Sequence, residues 1–201
     1  MPQVKATIVY YSATGTIEQM AARLADAAEK AGAEVRLRHV AETAPADAIE
    51  ENEQWQEHRE DVSDAPEPTP EDLTWADVVF FGTPTRFGAS ASQLQAFIDT
   101  LGPTWQAGEL ADKVYVGFTA SQTAHGGQES TLLSLYQAIM HWGGILVTPG
   151  YTDPVKFQDG NPYGVSHVTG EDNDAPLEDS DLAALDHMAE RAVQVAAKLA
   201  A

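Results

Sequence analysis

The chain has 201 residues, 43% of them hydrophobic and 8% aromatic, which suffices for one sizeable core; it contains no cysteine, so disulfides, thiol redox chemistry and cysteine-based zinc sites are excluded. Lys and Arg number 11 against 31 Asp and Glu, for a net charge of −20 and an isoelectric point near 4.3. A surface this negative repels phosphate backbones and anionic lipids, so nucleic-acid and membrane-surface binding are not expected, and a bound anion falls to backbone N–H groups.

So acidic a surface suits a high-salt cytoplasm, where self-repulsion is screened, and points to a halophile. The start, MPQVKATIVYY, has no charged n-region followed by an apolar h-region, so no signal peptide is expected. No apolar run approaches the roughly 18 residues of a membrane span. The expectation is a cytoplasmic protein without membrane insertion, forming one domain over residues 1–201.

Strand and helix signals alternate along the chain. Gln3–Tyr11 is a mostly apolar run, as for a strand buried on both faces. In Ile17–Ala31 the residues Ile17, Met20, Ala21, Leu24, Ala28 and Ala31 recur at helical steps, and Gly32 closes the helix. Glu34–Val40 is the second strand. Residues 41–75 are acidic and irregular, with a short helix around Asp47–Arg59 and breaks at Pro66, Pro68 and Pro70. Ala76–Gly82 is the third strand, Ser92–Gly102 a helix, Lys113–Thr119 the fourth strand and Gln128–Trp142 a helix. Ile145–Pro149 is the fifth strand and Asp179–Ala200 the closing helix. Residues 150–176 show no period and read as a long loop, of the kind that is functional or disordered.

This alternation implies an α/β fold with helices on both faces of a parallel sheet. Right-handed crossovers and a hydroxyl-rich loop after strand one favour a doubly wound, flavodoxin-like order of five strands, 2-1-3-4-5. Ligands in such sheets sit at the carboxyl ends of the strands, near the switch point. Three loops therefore matter.

After strand one comes Ser12-Ala13-Thr14-Gly15-Thr16. A helix start leaves N–H groups unpaired and carries partial positive charge, a natural phosphate site. The loop has no Lys or Arg, and neither the P-loop ending nor GxGxxG is present. An ordinary Ser/Thr cap is the plain alternative. After strand three comes Gly82-Thr83-Pro84-Thr85-Arg86-Phe87-Gly88, a stiff loop with a cation and a ring that could lie along a flat heterocycle. After strand four comes Thr119-Ala120-Ser121-Gln122-Thr123-Ala124-His125-Gly126-Gly127-Gln128-Glu129, a third small, polar turn entering a helix.

The segments YYSATGTIEQMA, FGTPTRFG, GGQE, HWGG at 141–144 and NPYG at 161–164 together resemble the WrbA-type NAD(P)H:quinone oxidoreductases, FMN-binding tetrameric relatives of flavodoxin. The resemblance covers nearly the whole chain. It implies that Ser12, Ala13, Thr14, Gly15, Thr16 and Ile17 hold the FMN phosphate. It implies that Thr85, Arg86 and Phe87, with Pro84 adjacent, line the flavin ring. Ser121, Gln122, Thr123, Ala124, His125 and Gly126 would cover the other side of ring and ribityl chain. His141 would reach the flavin of another subunit, and Trp105 would wall the substrate pocket across a subunit interface. Thr14 stands where the family often has a tyrosine near the nicotinamide, and the fourth-strand loop is poorer in glycine than the family's. The implied reaction passes hydride from NADH or NADPH to the flavin and then two electrons to a quinone, in a homotetramer or dimer, with no protein nucleophile.

A flavodoxin-like electron carrier, docking through its acidic face, is the alternative; Thr14 favours it. A scaffold without cofactor is a third reading. His39, His58, His125, His167 and His187 lack metal-site spacing, so no metal is expected. The carboxylates between Glu50 and Asp64 read as a solvated face, and Trp55 and Trp75 as packing anchors. No GxSxG elbow supports a hydrolase built on Ser12.

Overall fold

The computed structural model describes residues 3–200. Its elements in chain order are β1 (Lys5–Tyr10), α1 (Thr16–Lys30), β2 (Glu34–His39), α2 (Ala46–Glu50), α3 (Glu53–Asp61), α4 (Pro70–Trp75), β3 (Val78–Arg86) and β4 (Ala89–Ser90). Then come α5 (Ser92–Asp99), α6 (Gly102–Gln106), β5 (Val114–Ser121), α7 (Gln128–His141), β6 (Ile145–Leu146), α8 (Lys156–Asp159), β7 (Val165–Val168) and α9 (Asp179–Leu199).

The sheet runs β2-β1-β3-β5-β6, all parallel, which is the doubly wound order expected. Side chains alternate across it with the period of two that strands impose. Ile8, Val78, Phe80, Val116 and Phe118 face one core, shared with Met20 and Leu24 of α1 and Leu185 and Met188 of α9. Val9, Val79, Phe81 and Tyr115 face the other, shared with Leu73, Leu94, Phe97, Leu132 and Ile139. Because both faces are covered, the strands read as continuous apolar runs.

Four details differ from the sequence expectation. The Asp47–Arg59 helix is two helices, α2 and α3, because the Asn52 side chain accepts from Trp55 N at 3.0 Å and starts a new one. Pro70 does not break structure but opens α4: proline suits the first helical position, and Thr69 and Asp72 form a capping box. β3 continues through Arg86 and folds back on β4, with Phe87 at φ 53 and Gly88 at φ 78, so the expected loop is a two-residue hairpin turn of the primed class.

The fourth difference is the fifth strand. Only Ile145 and Leu146 pair, with Val114 and Tyr115; after Val147 the chain leaves the sheet. It returns as β7, which pairs with Phe118–Ser121 inside the segment expected to be loop. One strand position is thus filled by two pieces. At the break, Gly117 N donates to the Tyr136 hydroxyl at 3.1 Å, and that hydroxyl donates to Tyr163 O, so the Gly117 N–H keeps a partner where no strand lies beside it. The intervening segment is pinned by Lys156, which is fully buried and donates to Asp159 and to Gly164 O (2.8 Å).

Candidate functional site

A cavity of about 430 Å³ opens at the carboxyl ends of β1, β3 and β5, where the doubly wound topology places ligands. Three loops line it as expected: Ser12, Ala13, Thr14, Thr16 and Ile17; then Pro84, Thr85 and Arg86; then Ser121, Gln122, Thr123 and Gly126. Asn52, Trp55, Ala120, Thr169 and Asn173 complete the wall.

The first loop could cradle an anion, because its free donors gather at a helix start. Gly15, at φ 94, takes a left-handed conformation that only glycine adopts freely, and α1 starts directly after it. Its N–H donates to Ser12 Oγ at 3.0 Å. Helix geometry leaves the N–H groups of Thr16, Ile17 and Glu18 without an acceptor inside α1. These donors carry the positive end of a 15-residue helix. Behind the loop, His39 Nε2 faces Ser12 O at 3.5 Å, and His58 Nδ1 lies 3.4 Å from Glu18. Burial, chiefly, holds both imidazoles below their ordinary value of 6.5. That shift favours their neutral forms beneath the cradle.

On the second loop, Thr119 Oγ1 donates to Thr83 O at 2.7 Å, so the 3.0 Å contact between Thr85 and Thr119 has Thr85 as donor. Arg86 is the one charged side chain among the residues lining the cavity. On the third loop, the Thr123 carbonyl accepts from Ser121 Oγ (2.9 Å), Gly126 N (3.0 Å) and Gln128 Nε2 (2.9 Å), which fixes the turn ahead of α7.

Trp55 does more than anchor. It packs beside the second core and also lines the cavity. Its indole donates to Glu42 Oε2 at 2.7 Å. Glu42 also accepts from Tyr11 Oη (2.7 Å), Gln93 Nε2 (2.7 Å), Thr43 N (2.8 Å) and Ala44 N (2.8 Å). Burial alone would raise its carboxyl, but the bonds from the Ala44 backbone, Tyr11, Gln93 and Trp55 win and hold it below the usual carboxylate range. Trp75 does serve as an anchor, with the Arg36 guanidinium 3.9 Å above its ring.

Six expected residues do not line the cavity. Gly15 shapes it from behind. Phe87 projects from the hairpin tip, fully exposed, because the primed turn points its side chain away from the sheet end. Ala124 and His125 lie on the outer, exposed side of the braced third loop. Trp105 and His141 lie together elsewhere, with Trp105 Nε1 donating to His141 O at 3.1 Å. His141 ends the 14-residue helix α7, whose start is at the cavity, so it lies about 20 Å away along that helix.

Sequence reasoning overlooks Asn52, Thr169 and Asn173 and reads Trp55 as packing alone; Ala120 stands in the third loop that it singles out. The cap pattern at Asn52 was a usable signal. Thr169 and Asn173 lie in the unperiodic stretch, and only the return of β7 brings them to the mouth: Thr169 N bonds Ser121 O at 2.9 Å.

The donor set suits a flavin mononucleotide. Among the described residues no carboxylate lines the cavity; N–H and hydroxyl groups that could hold an anion line it together with a large ring (Trp55) and a guanidinium (Arg86). Among the described residues no group of His, Asp and Glu could hold a metal ion, and no helix is long and apolar enough to cross a membrane.

Comparison with known proteins agrees. Residues 9–153 match the family model described as NADPH-dependent FMN reductase. A protein of Deinococcus radiodurans named NAD(P)H dehydrogenase (quinone) is 50% identical over 197 residues, covering 98% of this chain and 97% of that protein. One of the same name from Geotalea uraniireducens is 38% identical over 203 residues, covering 98% of this chain and all of that protein. Among solved structures, the WrbA-like flavodoxin protein from Agrobacterium tumefaciens superposes with a TM-score of 0.69 at 23% identity, over 98% of this chain and 99% of that one, a likeness of fold. With half its residues shared across nearly the whole length of a relative, and a cavity whose donors suit the mononucleotide, the chain belongs to the NAD(P)H dehydrogenase (quinone) family within the FMN reductases, on a flavodoxin-like fold.

Proposed function

We propose that the protein reduces quinones with NADH or NADPH through bound FMN, acting as one domain over its length. The observation that supports this most is the cavity where three strand-end loops meet, lined by a first loop without cations and by Arg86 and Trp55. FMN, when bound, supplies the two-electron chemistry. The chain's own residues position and polarise it. The α1 N–H groups with Ser12, Thr14 and Thr16 hold the phosphate. Pro84, Thr85 and Arg86 would lie along the ring, where the Arg86 guanidinium would favour negative charge. Ser121, Gln122, Thr123 and Gly126 flank the opposite wall.

Trp105 and His141 act in a second subunit's site. Their position about 20 Å along α7 supports this, because they cannot reach their own cavity. Trp105 and Met140 are 52% and 59% exposed, apolar surface that a neighbouring copy would cover. The assembly is a homotetramer, stabilised by salt because of the −20 charge, as befits a halophile's cytoplasm.

Stopped-flow absorbance tests the function. FMN-loaded protein in high salt is mixed with NADH or NADPH, then with benzoquinone. Rapid bleaching and full reoxidation are expected. Flavin that binds yet is reduced by neither nucleotide would make the protein an electron carrier instead.

A further inference from the structure

We propose that Asn173 is a positioning residue that makes the cavity select a phosphorylated flavin, acting through the hydroxyl of Thr14. The proposal rests on the FMN reading above. Asn173 Nδ2 donates to Thr14 Oγ1 at 2.7 Å, joining residues 159 positions apart across the cavity mouth. With the amide so oriented its other end is also satisfied: Thr169 Oγ1, which has Ser121 O at 3.4 Å as its other acceptor, donates to the nearer Asn173 Oδ1 at 2.8 Å. A hydroxyl has one proton and two lone pairs. With its oxygen accepting from Asn173, Thr14 has its proton left for a ligand at the lip of the anion cradle. In a loop with no Lys or Arg, each such neutral donor counts.

The turn that carries Asn173 is built to hold it there. Asn173 has φ 58, the left-handed region that costs most side chains energy and that asparagine tolerates best. Its N–H donates to Gly170 O (3.2 Å), and Ala175 N closes the turn onto Thr169 O (3.0 Å). The buried His167 secures the far end: its Nε2 faces Ala175 O at 2.9 Å while Nδ1 faces Asp181 at 2.7 Å. Around Asn173 stand Glu171, Asp172 and Asp174. A carboxylate at position 173 would accept the Thr14 proton and repel a phosphate; the amide does neither. A bond between two half-buried surface groups adds little stability by itself, so holding a left-handed residue for it makes sense as preorganisation of the site.

Equilibrium dialysis with FMN and with riboflavin, which lacks the phosphate, provides the test on the full chain. Wild type should bind FMN more tightly than riboflavin; equal binding would sink the phosphate-site reading itself and the proposal with it. Asn173→Gly keeps the backbone conformation accessible and removes the amide, and should weaken FMN binding about tenfold while riboflavin changes less than about twofold. In a Thr14→Val background the same change should cost nothing further, because its target is gone. Thr169→Val, which leaves the backbone of residue 173 untouched, should lower the FMN preference in the same sense. Equal weakening toward both flavins would mean a merely structural role. An unchanged FMN preference, a full loss persisting without Thr14, or tighter FMN binding would each overturn the proposal, the last by showing the Thr14 proton spent on the amide.

Discussion

Replacing Glu42 by Gln tests whether the cavity wall is held by one carboxylate. Five donors converge on it: Tyr11 Oη and Trp55 Nε1 on one oxygen, Gln93 Nε2, Thr43 N and Ala44 N on the other. An amide offers one accepting oxygen and one donating NH2. If the NH2 faces Trp55, the indole N–H loses its acceptor; if it faces the backbone, two N–H groups do. The first orientation is cheaper and removes one charge-assisted bond while weakening the others, about 2 kcal/mol in all, since water reaches this half-buried site. For a chain of this size that lowers Tm by about 4–8 °C. The cost should depend on pH. The folded carboxyl titrates below its ordinary value of 4.5. Its contribution is therefore full above that value and is lost as pH falls through the depressed folded value. Urea unfolding followed by Trp fluorescence at pH 7 and in acid measures both. A difference below about 0.5 kcal/mol at pH 7, within the range of an ordinary surface change, or a gap that stays constant into acid, would refute the hub.

Gly164→Ala should destabilise by about 1–3 kcal/mol or more, because the new Cβ would lie 2.2 Å from Gly117 O, a backbone atom that cannot yield; thermal melts check this, and a neutral result would mean β7 does not press on β5. Trp105→Ala should lower quinone turnover with FMN affinity nearly unchanged, and equal losses in both would remove the cross-subunit role. His39 and His58 sit below 6.5 in the fold, mainly through burial. The unfolded chain then takes up protons first, and stability should decline as pH drops below that value. His58→Gln should flatten that decline, and an unaltered slope between pH 7 and the low fives counts against it.

Pattern along the chain settles the first four positions of the sheet. Continuous apolar strands such as ADVVFFG and helices with a single apolar stripe can be satisfied only by burying both sheet faces, and local chemistry at Ser12–Thr16 announces an anion site because hydroxyls, a glycine and a helix start are neighbours in sequence. Loop roles at strand ends follow from that topology. What is not local was not legible. The division of the fifth strand depends on whether residues 147–149 or 165–168 satisfy the edge of β5, a contest settled by the Tyr136 hydroxyl and the Lys156 anchor far along the chain. The Glu42 hub draws side chains from positions 11, 55 and 93. Phe87 reads as a ring contact until the hairpin turns it outward. Asn173 meets Thr14 only because β7 returns beside β5 and carries the following turn across the cavity mouth. Propensity and pattern act over a few residues, whereas hydrogen-bond satisfaction in a buried sheet is a property of the whole chain, and that is what tertiary structure decided here.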